Sequence, residues 1–131
     1  MDILSPMDYI ERNYKALIDF IQMTKSRFEN LCIPLKPNGF FDVVCFCSQD
    51  SRNLNSIKIV CTETKNPAGS YVANLTISGG YENRTEKKKH FDSSRCHYLF
   101  IWTPEAKYLI PTSEITQKKA LVLSGFEKFR L

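Results

Sequence analysis

Over the first two dozen positions apolar residues recur at spacings of three and four: Met7, Ile10, Tyr14, Leu17, Ile18 and Ile21. That period is helical. Ser5 is a preferred N-cap, Pro6 suits the first helical position and Asp8 favours the first turn, so the pattern predicts an amphipathic helix to about Lys25. Its apolar stripe is expected on a sheet, with Arg12, Asn13, Lys15, Asp19 and Gln22 facing outward.

Beyond the helix the period changes to that of strands. Leu31-Cys32-Ile33 is a short apolar run closed by Pro34, and Pro37-Asn38-Gly39 is a turn signal. The spacing predicts further strands over Phe40 to Cys47, Ser56 to Thr64 and Ser70 to Ser78, with polar connectors at Gln49 to Asn55 and Asn66 to Gly69. Tyr98 to Thr103 is apolar throughout, which predicts a central strand buried on both faces. Lys107 to Ile110 follows as a strand and Pro111 with Ser113 as a short helical turn; Ala120 to Leu123 and Phe126 to Leu131 alternate weakly. A helix followed by mostly hairpin-connected strands is an α+β layer, with the helix packed on one face of a curved sheet.

Composition adds limits. With 131 residues, 43% hydrophobic and 24% charged, the chain has the length and mix of a single domain over 1–131. No window approaches the roughly 20 apolar residues of a membrane span, and no basic region precedes an apolar core at the N-terminus. The expectation is therefore no membrane and a cytoplasmic location. Five cysteines at irregular spacing fit reduced, buried thiols, since an odd count in apolar runs makes a poor disulfide framework. A formal charge of +4 mildly favours a polyanionic partner.

Two features suggest chemistry. Asp42 is the one acidic residue in Phe40 to Cys47, and a carboxylate in such a strand must be paired, bind a cation or sit at a wet rim. Capping the preceding turn is the competing account. Glu63 and Lys65 lie two apart where the next strand leaves its apolar portion, which puts them on one face of an extended chain. If these strands pair, two carboxylates and an amine meet at one edge, a set that suits Mg²⁺ and hydrolysis of a phosphodiester. Glu11 shares the helical face of Met7, Tyr14 and Ile18 and is expected to complete the set. Arg84, Lys87, Lys88, Lys89 and His90, with Lys118 and Lys119, are expected phosphate contacts. Cys45, Cys47, Cys61 and Cys96-His97 have poor zinc spacing and no nucleophile signature. Phe126, Phe129 and Leu131 could support homo-oligomerisation.

Glu11, Asp42 and Glu63-x-Lys65, in that order, resemble the PD-(D/E)xK nuclease superfamily, most of all its small endonucleases associated with group I introns. The resemblance extends through Asn66 to Val72, Gly79-Gly80, Phe91-Asp92, Tyr98 to Ile101 and Tyr108 to Pro111, so it covers about residues 7 to 131. It implies a restriction-endonuclease-like core with a mixed, largely antiparallel sheet, and Mg²⁺-dependent cleavage of DNA. In that role Asp42 and Glu63 hold the metal, Lys65 acts as the amine and Glu11 supports them. There is a departure. In the family the third strand reads like I-x-V-Q-C-K, which sets Val60 and Thr62 where Gln and Lys are expected; choosing Glu63 and Lys65 shifts the pairing by three residues and exchanges the faces of the strand. A nucleic-acid-binding or assembly subunit without catalysis is the alternative on that register.

Overall fold

The computed structural model describes residues 6–34, 41–47, 50–75 and 91–131. The helix α1 runs Pro6–Thr24, as its caps and periodicity predict. It ends where the Thr24 hydroxyl donates to the Phe20 carbonyl at 2.6 Å and the Arg27 N–H turns back to the Thr24 carbonyl at 2.8 Å. The buried face, however, is Ala16, Phe20 and Thr24, with Leu17 half-buried beside them. Tyr14 and Ile18 are 62% and 52% exposed. The expected orientation is thus corrected: Asn13 and Asp19, read as outward, face the sheet, where Asn13 accepts from the Cys61 thiol and Asp19 accepts from the Trp102 indole N–H at 2.8 Å. The small Ala16 allows close approach and the Phe20 ring fills the space, stacking near Phe28 and meeting Phe100 edge-on.

The main sheet has five strands: β1 (Phe28–Cys32), β2 (Val43–Cys47), β3 (Asp50–Cys61), β5 (Tyr98–Trp102) and β6 (Lys107–Pro111), in that spatial order. All neighbours are antiparallel except β3 and β5, which run parallel, so the sheet is mixed and the fold is α+β. Strand β3 is twelve residues long and begins before the expected Ser56. Its polar first half, read as a connector, pairs with β2, because the antiparallel partner satisfies its backbone groups whatever the side chains are. Its apolar second half pairs with β5. Strand β5 is internal, with Leu99 and Ile101 in one core cluster and Phe100 and Trp102 in the other, as its unbroken apolar run predicts.

A second sheet of two antiparallel strands, β4 (Val72–Asn74) and β7 (Ala120–Val122), covers the face opposite α1. Ala73, Leu75 and Leu121 from this layer join Leu99, Ile101, Tyr108 and Ile110 in one cluster over β5 and β6. The chain closes with a 3-10 segment, Leu123–Phe129. Phe126 and Phe129 pack half-buried on that cluster, Arg130 bridges to Tyr108, and the Leu131 N–H donates to the Lys107 carbonyl at 2.8 Å. Phe126 and Phe129 are thus partly engaged within the chain, while Leu131 stays 40% exposed. The Pro37-Asn38-Gly39 turn and Gly79-Gly80 lie outside the described residues.

Candidate functional site

Asp42 stands one residue before β2. Its backbone N–H donates to the Ile57 carbonyl at 2.8 Å, and its Oδ2 accepts the Ile59 N–H at 2.7 Å. The carboxylate therefore replaces a strand carbonyl where the β2–β3 ladder begins. Val43 pairs with Ile57 and Val44 with Ser56; Asp42, just outside that ladder, spans Ile57 and Ile59 through its N–H and its carboxylate and so lies alongside Lys58. Alternation along β3 puts Lys58 and Val60 on one face of the sheet. That face is the one away from α1, because the β5 partners of Lys58 and Val60 are Leu99 and Ile101. Thr62 continues it: only 6% exposed, its hydroxyl donates to the Val72 carbonyl of β4 at 2.6 Å.

Glu63 and Lys65 lie past the end of β3. Lys65 bridges to Tyr71 across a tight turn in which Gly69, at φ 87°, adopts a conformation that only glycine takes cheaply. The Asn66 N–H bonds the Ser70 carbonyl and the Asn66 side chain accepts the Ser70 N–H, which fixes that turn. The Lys65 ammonium is 3.4 Å from Glu105 Oε1 and 4.8 Å from the centre of the Tyr71 ring. It belongs with the β5–β6 turn, and the structure does not join it to Asp42. Glu63 is exposed. Asp42 lies alongside Lys58, seven residues before Lys65, and the described contacts of Lys65 are with Glu105 and Tyr71. Glu11 lies within α1, its side chain outside the described residues, and the next positions on its face, Tyr14 and Ile18, are exposed.

Lys58 is the residue that sequence reasoning passed over. It is the one charge in Ile57 to Cys61, and a carboxylate across a paired strand was the available signal; only the register turns the two into neighbours. Both act on Cys96, which is 4% exposed. Burial pushes its thiol up to about 11, Lys58 opposes the rise, and Asp42 and Asp92 add to it. The charges of Lys58, Asp42 and Asp92 therefore converge on one place. Asp92 is held below the usual carboxylate range by hydrogen bonds from the Ser94 hydroxyl and N–H, with Arg95 contributing.

Arg84, Lys87, Lys88, Lys89 and His90 lie outside the described residues, as do Tyr81 and Asn83. The flanks of that segment are described. Leu75 donates its N–H to the Lys119 carbonyl at 2.8 Å, and Phe91 to the Lys118 carbonyl at 2.9 Å. Leu75 and Phe91, which flank segment 76–90, are thus both held beside Lys118 and Lys119, and Asp92 follows directly in sequence. A cleft of about 400 Å³ opens there, with Asp92, Ser93, Thr116, Gln117 and Lys118 on its walls.

Asp42 brings one carboxylate with an oxygen already bonded to an amide, and its described β3 neighbours Ile57, Lys58 and Ile59 add no other carboxylate. Among the described residues no three His, Cys, Asp or Glu side chains gather as metal ligands. Cys45 faces α1 while Cys96 packs on the opposite side, which separates the thiols considered for zinc. His97 Nδ1 accepts the Ser56 N–H at 3.0 Å and lies 3.2 Å from its hydroxyl, so the ring is engaged with β3.

An α-helix packed on one face of a mixed five-stranded sheet is an α+β fold. A solved structure that shares it is that of a bacterial homing endonuclease, I-Ssp6803I: the TM-score is 0.62 over 86% of this chain and 75% of that one, at 13% sequence identity. No family model and no curated protein matches the chain. Among the described residues, no helix is long and apolar enough to cross a membrane.

Proposed function

We propose that this protein binds DNA through a homing-endonuclease fold without hydrolysing it. The observation that supports this reading is that Asp42 is bonded alongside Lys58, through Ile57 and Ile59, while the described contacts of Lys65 are elsewhere. Hydrolysis would require Mg²⁺ on Asp42 and Glu63, Lys65 as the amine and Glu11 in support. Lys65 is instead held by Glu105 and Tyr71. Binding needs less. Lys118, Lys119 and the basic run of Arg84, Lys87, Lys88 and Lys89 supply cations for phosphates, and neutralising phosphates releases counterions, which makes affinity fall steeply with salt.

The test combines binding and cleavage. Fluorescence anisotropy with a labelled duplex, across a range of KCl, is expected to show salt-dependent binding. A supercoiled plasmid incubated with the protein and Mg²⁺ is expected to remain uncut. Nicking that needs Mg²⁺ and disappears in Asp42→Ala would overturn the non-hydrolytic reading and restore the catalytic one; absence of duplex binding at low salt would remove DNA as the partner.

A further inference from the structure

We infer that Lys58 contacts a backbone phosphate of the bound duplex, at the step where the β4–β7 layer stops and the face of β2 and β3 begins. This rests on the DNA-binding reading above and adds to it a residue and a location that neither the basic run nor the resemblance supplies.

The step follows from the packing. The layer of β4 and β7 covers β5 and β6, whose Leu99, Ile101, Tyr108 and Ile110 are buried beneath it. On the same face of the neighbouring strands Leu54 is 54% exposed, Asp42 is exposed, and Val44, Phe46 and Lys58 are half-buried. Lys58 therefore lies at the boundary, its register partner Leu99 under cover on one side and Asp42 open on the other.

Its charge is not consumed locally. Among the described residues Lys58 makes no ion pair: Asp42 is bonded to the Ile59 amide, and Asp92 is bonded to Ser94 and Arg95. Lys58 is half-buried and the carboxylates near it are already hydrogen-bonded to other groups, so a phosphate oxygen placed beside its ammonium gains more than it would at a fully wet lysine. Asp92 and Lys118 border one cleft, and the residues that flank segment 76–90, Leu75 and Phe91, are hydrogen-bonded to Lys119 and Lys118. A strand of DNA tracking from those lysines toward Asp42 passes Lys58. Lys65, between β3 and β4, is off that track and already paired with Glu105 of the β5–β6 turn.

The experiment compares wild type, Lys58→Met, Lys58→Arg and Lys65→Met by anisotropy on one duplex over a KCl series. Methionine keeps the apolar stem on the strand, and far-UV circular dichroism checks that the sheet is retained. Lys58→Met is expected to weaken binding about three- to ten-fold and to flatten the log K against log salt slope by about 1, with Lys58→Arg close to wild type and Lys65→Met unchanged. On the wild-type protein, acetylation of amines read by mass spectrometry is expected to show Lys58 protected by the duplex and Lys65 not. Wild type that binds DNA while Lys58 is unprotected and Lys58→Met keeps the full slope overturns this inference alone. Wild type that does not bind overturns the DNA-binding reading, and this contact with it.

Discussion

The Asp42 carboxylate accepts the Ile59 N–H at 2.7 Å and thereby begins the ladder between β2 and β3. A side chain at this position has a structural task whether or not it meets a ligand. Asp42→Ala is expected to lower stability by about 1 kcal/mol, the net value of one such hydrogen bond, while Asp42→Asn retains most of it. Urea unfolding measures this. DNA affinity of Asp42→Ala should equal or exceed that of wild type, because a negative charge beside Lys58 is removed; a marked loss of affinity would show that Asp42 itself grips the nucleic acid.

The two faces of α1 predict opposite responses. Phe20→Ala empties a fully buried site between Phe28 and Phe100 and is expected to cost about 3–5 kcal/mol. Ile18→Ser, on the exposed side, is expected to change stability by less than about 0.5 kcal/mol. Equal losses in chemical denaturation would mean that the helix is docked by its other stripe.

Asp19 ties the helix to the sheet through the Trp102 indole, which also carries Lys107 over its ring at 5.0 Å. Asp19→Ala leaves a largely buried N–H without its acceptor, at a cost of about 1–3 kcal/mol. Trp102 is the sole tryptophan, so its emission reports the change directly. A shift in emission together with lower stability is expected; unchanged emission would place the indole elsewhere.

The buried thiols give a pH dependence with a definite sign. Burial pushes both Cys45 and Cys96 up to about 11 from 9.0. Each is protonated in the folded chain at a pH where the unfolded chain releases its proton. The stabilisation is fully present below pH 9 and is lost as pH rises toward 11. Thermal melting between pH 8 and 11 is expected to show this decline, less steeply in Cys96→Ala than in wild type. At neutral pH iodoacetamide should modify the exposed Cys32 well before Cys45 or Cys96.

Local pattern was enough to place most elements, for reasons that stay within a few residues. Ser5, Pro6 and the three–four spacing specify a helix, and the apolar Tyr98 to Trp102 specifies a strand buried on both sides, because periodicity and capping act over one or two turns of chain. Asp42 also stood out, as a charge that an apolar strand has to explain. The face that α1 buries was not decided in this way. It carries both an Ala16–Phe20 stripe and a Tyr14–Ile18–Ile21 stripe, equally helical in period, and the choice depends on whether Asn13 and Asp19 find partners, which Cys61 and Trp102 supply from distant strands. The same holds for the site. Spacing along the chain made Glu63 and Lys65 neighbours of each other, but which residue meets Asp42 depends on how two strands align, and a shift of one position in that alignment exchanges every side chain between the faces. Tertiary pairing chose Lys58, because hydrogen bonds between strands fix register over distances that no sequence period reaches.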